Sequence, residues 1–244
     1  MQNYSVLAKY YDRFTQNDCD YESWSQYLST VAQKHNARQI VDVACGTGKM
    51  TSMLEKRGYK LIGVDKSAEM LAEASKKCRA LFVQQDMKML RLPHPADMAV
   101  VVNDGVNYLK PAELAPFFIN LAQNIRDSAP IVFDVSSPYK LQTVVGNNVF
   151  FVDDDVATLL WTNRLSGKTL TMELTLFSRE EGADKGQLYT RQDEKHVQYV
   201  HTRQDITEAL SQAGFSLQAV TADYGKEFSE TALRHTYYAV YKGL

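Results

Sequence analysis

The sequence predicts an α/β protein with a doubly wound, mostly parallel seven-stranded sheet and an antiparallel β insertion after strand five. Three observations carry that expectation. Short β-branched runs alternate with amphipathic helical stretches as far as Ser136, a pattern that favours parallel strands covered by helices on both faces. A glycine turn, Ala44-Cys45-Gly46-Thr47-Gly48, follows the first run directly. Beyond Ser136 the period changes, and Leu170, Met172, Leu174 and Leu176 alternate with Thr169, Thr171, Glu173 and Thr175. A period of two marks strands with one covered face.

Taken in chain order, Tyr4 to Lys34 is expected to be helical, because Trp24, Tyr27, Leu28 and Val31 share one stripe. Strands are expected at Gln39–Ala44, Lys60–Asp65, Ala80–Gln84, Met98–Asn103 and Ile131–Val135. Helices connect them at Lys49–Lys56, which Gly58 closes, from an Ser67 N-cap to Lys77, and at Pro111–Ile125. Residues 140–201 form the expected insertion, with strands at Val149–Val152, Thr158–Trp161, the alternating segment and Lys195–Val200. Ser166-Gly167 and Glu180–Gly186 supply its turns and loops. A helix at Asp205–Gln212 and strands at Leu217–Ala222 and Thr236–Tyr241 return the chain to the first sheet. The division is therefore 1–139 with 202–244 as the main domain, and 140–201 as a substrate-side subdomain.

Composition narrows the function. The 244 residues are 45% hydrophobic and 23% charged, with a net charge of -2, so no global basic field draws in nucleic acid. The N-terminus lacks the basic start and apolar core of a signal peptide. The run Met98–Val102 is far short of the ~20 residues a membrane helix needs. Cys19, Cys45 and Cys78 form no CxxC pair, and an odd count argues against a secreted disulfide framework. The expectation is a cytoplasmic enzyme.

The chemistry is concentrated between Asp42 and Asp65. Glycine in a turn at the carboxyl end of a strand lets a ligand approach the backbone without meeting a Cβ. Strand two ends in Asp65, and a carboxylate there can accept from both hydroxyls of a ribose. Strand, glycine turn, helix, strand and terminal acid together point to a nucleoside. The dinucleotide fingerprint G-x-G-x-x-G is incomplete, since Lys49, Met50 and Thr51 follow Gly48. Asp42 also suits a positively charged ligand better than a pyrophosphate.

On these residues a resemblance becomes specific. Val41-Asp42-Val43-Ala44-Cys45-Gly46-Thr47-Gly48 resembles motif I of class I S-adenosylmethionine-dependent methyltransferases. Gly63 to Leu71 resembles their second motif, Gln85-Asp86-Met87 the third, and Asn103 to Leu109 the segment after strand four. The chain is similar above all to the small bacterial YqeM-type group, with strong likeness over residues 38–136. The resemblance implies a Rossmann-like fold, S-adenosyl-L-methionine as cofactor, and a methyl acceptor. It also implies that Ala44 and Gly46 line the methionine portion, Asp65 holds the ribose and Met70 packs beside the adenosine. Asp86 and the Met87 backbone would meet adenine, and Asn103 the methionine end. Tyr10-Tyr11-Asp12-Arg13-Phe14 is similar to an N-terminal element in which a tyrosine closes over the sulfonium, which implies Tyr11.

Bland readings stand beside these. Cys45 fits as a small buried residue rather than a thiolate. Asp104 is the candidate catalytic group, as base or amine ligand, with a turn cap as the alternative. No metal site is expected, since the five histidines lack metal-ligand spacing and Asp153-Asp154-Asp155 reads as a solvated loop. His196 and His201 either face one cavity under the insertion or sit exposed on its strands. The expected partner is a small-molecule N or O acceptor, with nucleic acid disfavoured. Two rivals stay open on the residues alone: a non-catalytic module that binds the donor or its product, and a nicotinamide-dependent oxidoreductase.

Overall fold

The computed structural model describes residues 4, 6–15, 19–179 and 188–243. Five strands, β1 (Gln39–Val43), β2 (Lys60–Asp65), β3 (Leu81–Gln84), β4 (Met98–Val101) and β5 (Pro130–Ser136), run parallel. Four more, β6 (Val149–Asp153), β7 (Ala157–Ser166), β8 (Thr169–Arg179) and β9 (Tyr189–Tyr199), form a separate antiparallel sheet. Then β10 (Phe215–Ala222) and β11 (Arg234–Tyr241) rejoin the first sheet antiparallel, giving the order β10-β11-β5-β4-β1-β2-β3. The expected architecture is thus the one found.

The strands of the first sheet are apolar on both faces because helices cover both. In β1, Ile40 faces a cluster with Trp24, Leu28, Leu54 and Tyr238, while Val41 and Val43 face one with Phe117, Phe118, Phe133 and Tyr237. Phe133 and Tyr237 stack with their centroids 5.2 Å apart, locking β11 to β5. The second sheet has one covered face only. Leu170, Met172, Leu174 and Leu176 are buried while Glu173 is exposed, as the period of two requires.

Several boundaries differ from expectation, each for a local reason. The N-terminal stretch is no single helix: a 3-10 turn at Leu7–Lys9 and the short α1 (Tyr11–Phe14) precede α2 (Tyr21–Lys34). Asp20 opens α2 afresh, its Oδ1 accepting from the Ser23 N–H at 3.0 Å. Residues 16–18 of the expected helix lie outside the described residues, as does the Glu180–Gly186 loop. Helix α3 (Lys49–Lys56) is as expected, and α4 (Ala68–Ala74) starts from the Ser67 cap. The helix expected at Pro111–Ile125 is a 3-10 turn leading into α5 (Leu114–Ala122). β4 stops at Val101 because Asn103 and Asp104 both take positive φ, 65° and 56°.

Helix α6 (Arg203–Gln212) begins two residues before its expected start, because Thr202 caps it. Thr202 Oγ1 accepts from the Asp205 N–H at 3.1 Å, and Asp205 Oδ2 accepts from the Thr202 N–H at 2.9 Å. Thr202→Ala is therefore expected to cost about 1 kcal/mol of stability in urea unfolding. A loss below ~0.3 kcal/mol would show that the box does not hold the helix.

Candidate functional site

The strand order reverses between β1 and β4, and ligands of open α/β sheets bind at such switch points. A cavity of about 650 Å³ opens there, within the range of small-molecule sites. Its floor is the glycine turn. Gly46 has φ +54° and Gly48 φ +69°, and a Cβ on Gly48 would stand 2.7 Å from the Ala74 Cβ. Ala44, at φ 56°, is the non-glycine residue of the turn that shares this left-handed conformation.

The eight residues expected to hold the cofactor all line this one cavity: Tyr11, Ala44, Gly46, Asp65, Met70, Asp86, Met87 and Asn103. Asp65 is tied to the turn, accepting from the Gly46 N–H at 2.8 Å and the Ser67 N–H at 2.9 Å. Burial pushes its carboxyl above the ordinary range, against those two bonds. Met70 is buried, its N–H capped by Ser67 Oγ at 3.1 Å. Asp86 caps the Met87–Met89 turn through the Lys88 N–H at 3.0 Å, with Lys66 Nζ at 3.4 Å from its other oxygen. Asn103 donates to the Tyr11 hydroxyl at 2.8 Å.

Tyr11 is held in place from beneath. Its neighbour Asp12 accepts from Thr47 Oγ1 at 2.5 Å and pairs with Lys77, which also donates to the Thr47 carbonyl at 2.7 Å. The N-terminal helix is thereby clamped to the glycine turn. Burial pushes the Tyr11 phenol well up, so it stays protonated and acts as a hydrogen-bonding group.

Asp104 stands apart. It is absent from the cavity wall, and its Oδ2 accepts from Ser136 Oγ and Gln198 Nε2, each at 3.0 Å. It precedes the Gly105–Tyr108 turn without a side-chain cap bond, so the capping alternative is not the arrangement found. Cys45 is half-buried, and burial together with Asp42 and Asp65 pushes its thiol well up, which removes it as a nucleophile. Among the described residues no group of three His, Cys, Asp or Glu side chains is placed to hold a metal. His196 and His201 are both buried, and the His196 Nδ1 lies 3.3 Å from the hydroxyl of a cavity residue, Tyr108. In the acidic run, Asp153 accepts from Thr158 and Asp154 pairs with Arg13.

Two residues were passed over by the sequence reading. Asp134, in the middle of β5 and fully buried, accepts from the Asn103 N–H (2.7 Å), the Asp104 N–H (2.9 Å), the Tyr224 hydroxyl (2.5 Å) and Arg234. Arg234 lies over the Trp24 ring at 4.9 Å and donates to Asn103 Oδ1 at 3.1 Å. A signal existed: a carboxylate inside the apolar run Ile131–Val135 must be paired to be buried.

At the cavity floor, Asp42 accepts from Thr51 Oγ1 at 2.5 Å through one oxygen, while its buried Oδ1 has no partner among the described residues. That orphaned oxygen fits a donor carrying a sulfonium and an ammonium.

Two outcomes follow from these charges. Burial raises the Asp42 carboxyl to about 7. Its folded value then exceeds its unfolded one, so the stability it contributes is present at low pH and fades as pH rises through about 7. Asp42→Asn is expected to gain melting temperature relative to the parent between about pH 5.5 and about pH 8.5, and a constant difference would contradict the assignment. Asp134→Asn strands a buried guanidinium and is expected to cost ~3–5 kcal/mol in urea unfolding. Arg234→Gln added to it should restore part of that loss, whereas additive losses would show the two uncoupled.

Residues 40–128 match the family described as a methyltransferase domain. A Geobacillus sp. (strain WCH70) protein named "Putative methyltransferase GWCH70_2453" is 31% identical, with 95% of this chain and 96% of that one covered. "Putative methyltransferase YqeM" of Bacillus subtilis (strain 168) is 28% identical over 91% of this chain and 90% of its own length. The crystal structure of an S-adenosylmethionine-dependent methyltransferase from Clostridium acetobutylicum ATCC 824 superposes with a TM-score of 0.87 at 28% identity, covering 98% of this chain and 99% of that one. The chain belongs to the class I S-adenosylmethionine-dependent methyltransferases, in the group that includes the YqeM-type proteins.

Proposed function

We propose that this methyltransferase alkylates an N or O atom of a small molecule, in a chamber between the glycine turn and the second sheet. The observation that carries the reading is the company at the inner end of the cavity. Tyr4, Tyr11, Asn103 and Tyr108 line it there, and the Tyr4 and Tyr108 hydroxyls are bonded to each other. Such a wall offers hydrogen bonds to a polar nucleophile. Residues 140–201 then act as a substrate-side subdomain on a main domain made of 1–139 and 202–244. Among the described residues no helix is long and apolar enough to cross a membrane.

S-adenosylmethionine supplies a methyl group on a good leaving group, so the protein's task is alignment, charge placement and water exclusion. In this reading Asp65 takes the ribose hydroxyls, while Asp86 and the Met87 backbone take adenine. Met70 packs beside the adenosine. Asp42 and the turn from Ala44 to Gly46 receive the charged amino-acid end, with Asn103 beside it. Tyr11 covers the sulfur from the N-terminal side. Asp104 orients the chamber through Gln198 and Ser136 rather than touching the transferred group.

Calorimetry tests the seat. S-adenosylmethionine is expected to bind at micromolar affinity, and Asp65→Ala to weaken it at least ~30-fold, the loss of two charge-assisted hydrogen bonds. Retained affinity in that variant would refute the ribose assignment. Release of S-adenosylhomocysteine with small amines and hydroxy acids, against bulk tRNA and rRNA, tests the acceptor. Methylation confined to RNA would overturn the small-molecule reading.

A further inference from the structure

The inner face of the second sheet is apolar along β8, yet its edge strand β9 places Glu194, His196 and Gln198 on that same covered face. Glu194 and His196 are 6% and 1% exposed, and burying an acid beside an imidazole is costly unless both are engaged. They are. His196 Nε2 lies 3.3 Å from Glu194 Oε2, and His196 Nδ1 lies 3.3 Å from the Tyr108 hydroxyl. The Tyr108 hydroxyl bonds that of Tyr4, and both tyrosines line the cofactor cavity. Glu194 is fixed in turn by the Val6 N–H, 2.9 Å from its Oε1. One hydrogen-bonded line therefore runs from the cavity wall to a buried carboxylate.

We propose that the chain Tyr4–Tyr108–His196–Glu194 is a proton relay that takes the proton of the methyl acceptor, with His196 as its holder. The proposal rests on the reading of the cavity given above. It makes the acceptor an N–H or O–H nucleophile that must lose a proton, which a thioether or a tertiary amine would not. With Glu194 as a carboxylate and one proton on the His196 ring, the bonding runs in one direction. Glu194 accepts from the His196 Nε2–H, which leaves the Nδ1 lone pair facing Tyr108. Tyr108 then donates to Nδ1, and Tyr4 donates to the Tyr108 oxygen, leaving the Tyr4 oxygen open to accept.

In the step, the acceptor's lone pair bonds the methyl carbon as the carbon–sulfur bond breaks, its electron pair remaining on sulfur. The acceptor's proton passes to Tyr4, that of Tyr4 to Tyr108, and that of Tyr108 to His196 Nδ1. An imidazolium facing the Glu194 carboxylate results, as in a triad of nucleophile, base and orienting acid. Burial pushes both phenols well above their ordinary range, so neither rests as a phenolate and each gives up its proton only as it receives another. The groups facing the imidazole are Tyr4, whose ring is edge-on at 4.4 Å, Tyr108 and Glu194, with Asp104 adding charge behind Tyr108.

Sinefungin provides a test that needs no known acceptor, because it replaces the sulfonium and its methyl by a carbon bearing an amine. That amine takes the place of the transferred methyl, next to where the acceptor's nucleophilic atom would be. Nitrogen-15 NMR of the histidine-labelled protein, with His196→Gln to assign the signal, reads the ring directly. Saturated with S-adenosylhomocysteine, His196 is expected to carry its ring proton on Nε2, toward Glu194. The sinefungin amine is an ammonium at neutral pH, so saturation with sinefungin is expected to polarise the line and move the Nδ1 signal alone toward the imidazolium position, and Tyr108→Phe to abolish that shift while both ligands still bind. A proton on Nδ1 in the S-adenosylhomocysteine complex, no response to sinefungin, or an equal response in Tyr108→Phe would each overturn the relay. Failure of both ligands to bind would instead refute the cofactor seat, and the relay with it.

Discussion

A single buried carboxylate organises the end of the sheet where the site lies. Asp134 sits in β5 without solvent contact and receives two backbone N–H groups, a tyrosine hydroxyl and a guanidinium. An ionised acid at full burial is tolerable only when its lone pairs are filled by donors, at least one of them charged. The two N–H groups belong to consecutive residues in left-handed conformation, Asn103 and Asp104. That conformation is costly for side-chain-bearing residues, and the carboxylate offsets the cost by accepting from both. Arg234, the counter-charge, continues to Asn103 and stacks on Trp24, so β5, β11, α2 and the loop after β4 are fixed by one network.

The glycine turn depends on a second, smaller network. Asp65 reaches back from β2 to the Gly46 N–H, and Asp12 reaches in from α1 to Thr47. Strand end, turn and N-terminal helix are therefore positioned relative to one another by short polar contacts. Tyr11 inherits its place from Asp12, one residue on, and from Asn103, which Arg234 holds. The polar line through β9 has the same economy. Its acid and imidazole are buried by the sheet's hydrophobic face, and their hydrogen-bonding capacity is directed toward the cavity by Tyr108.

Much of this was legible in the sequence because period and turn chemistry are local properties. The alternation of strands and helices, the glycine turn and the acid ending β2 each follow from a few adjacent residues. They were enough to indicate the sheet, the insertion and the donor. Even Asp134 left a trace as a charge inside an apolar run. Its partners left none, since Arg234 is 100 residues away in sequence. The breaks at Asp20 and Thr202 were missed for a smaller reason: a cap that overrides the apolar stripe is a matter of one side chain.

The sequence by itself determined the donor, because the stretch from Asp42 to Asp65 that points to it is one strand–turn–helix–strand unit whose residues are contiguous. Only the tertiary structure decided which side chains the inserted sheet and the N-terminus bring to the cavity wall. Tyr4, Tyr108 and His196 come from the N-terminus, the loop after β4 and the edge of the inserted sheet. No periodicity links such segments. Their meeting is set by where the second sheet packs, and packing is a property of the whole chain.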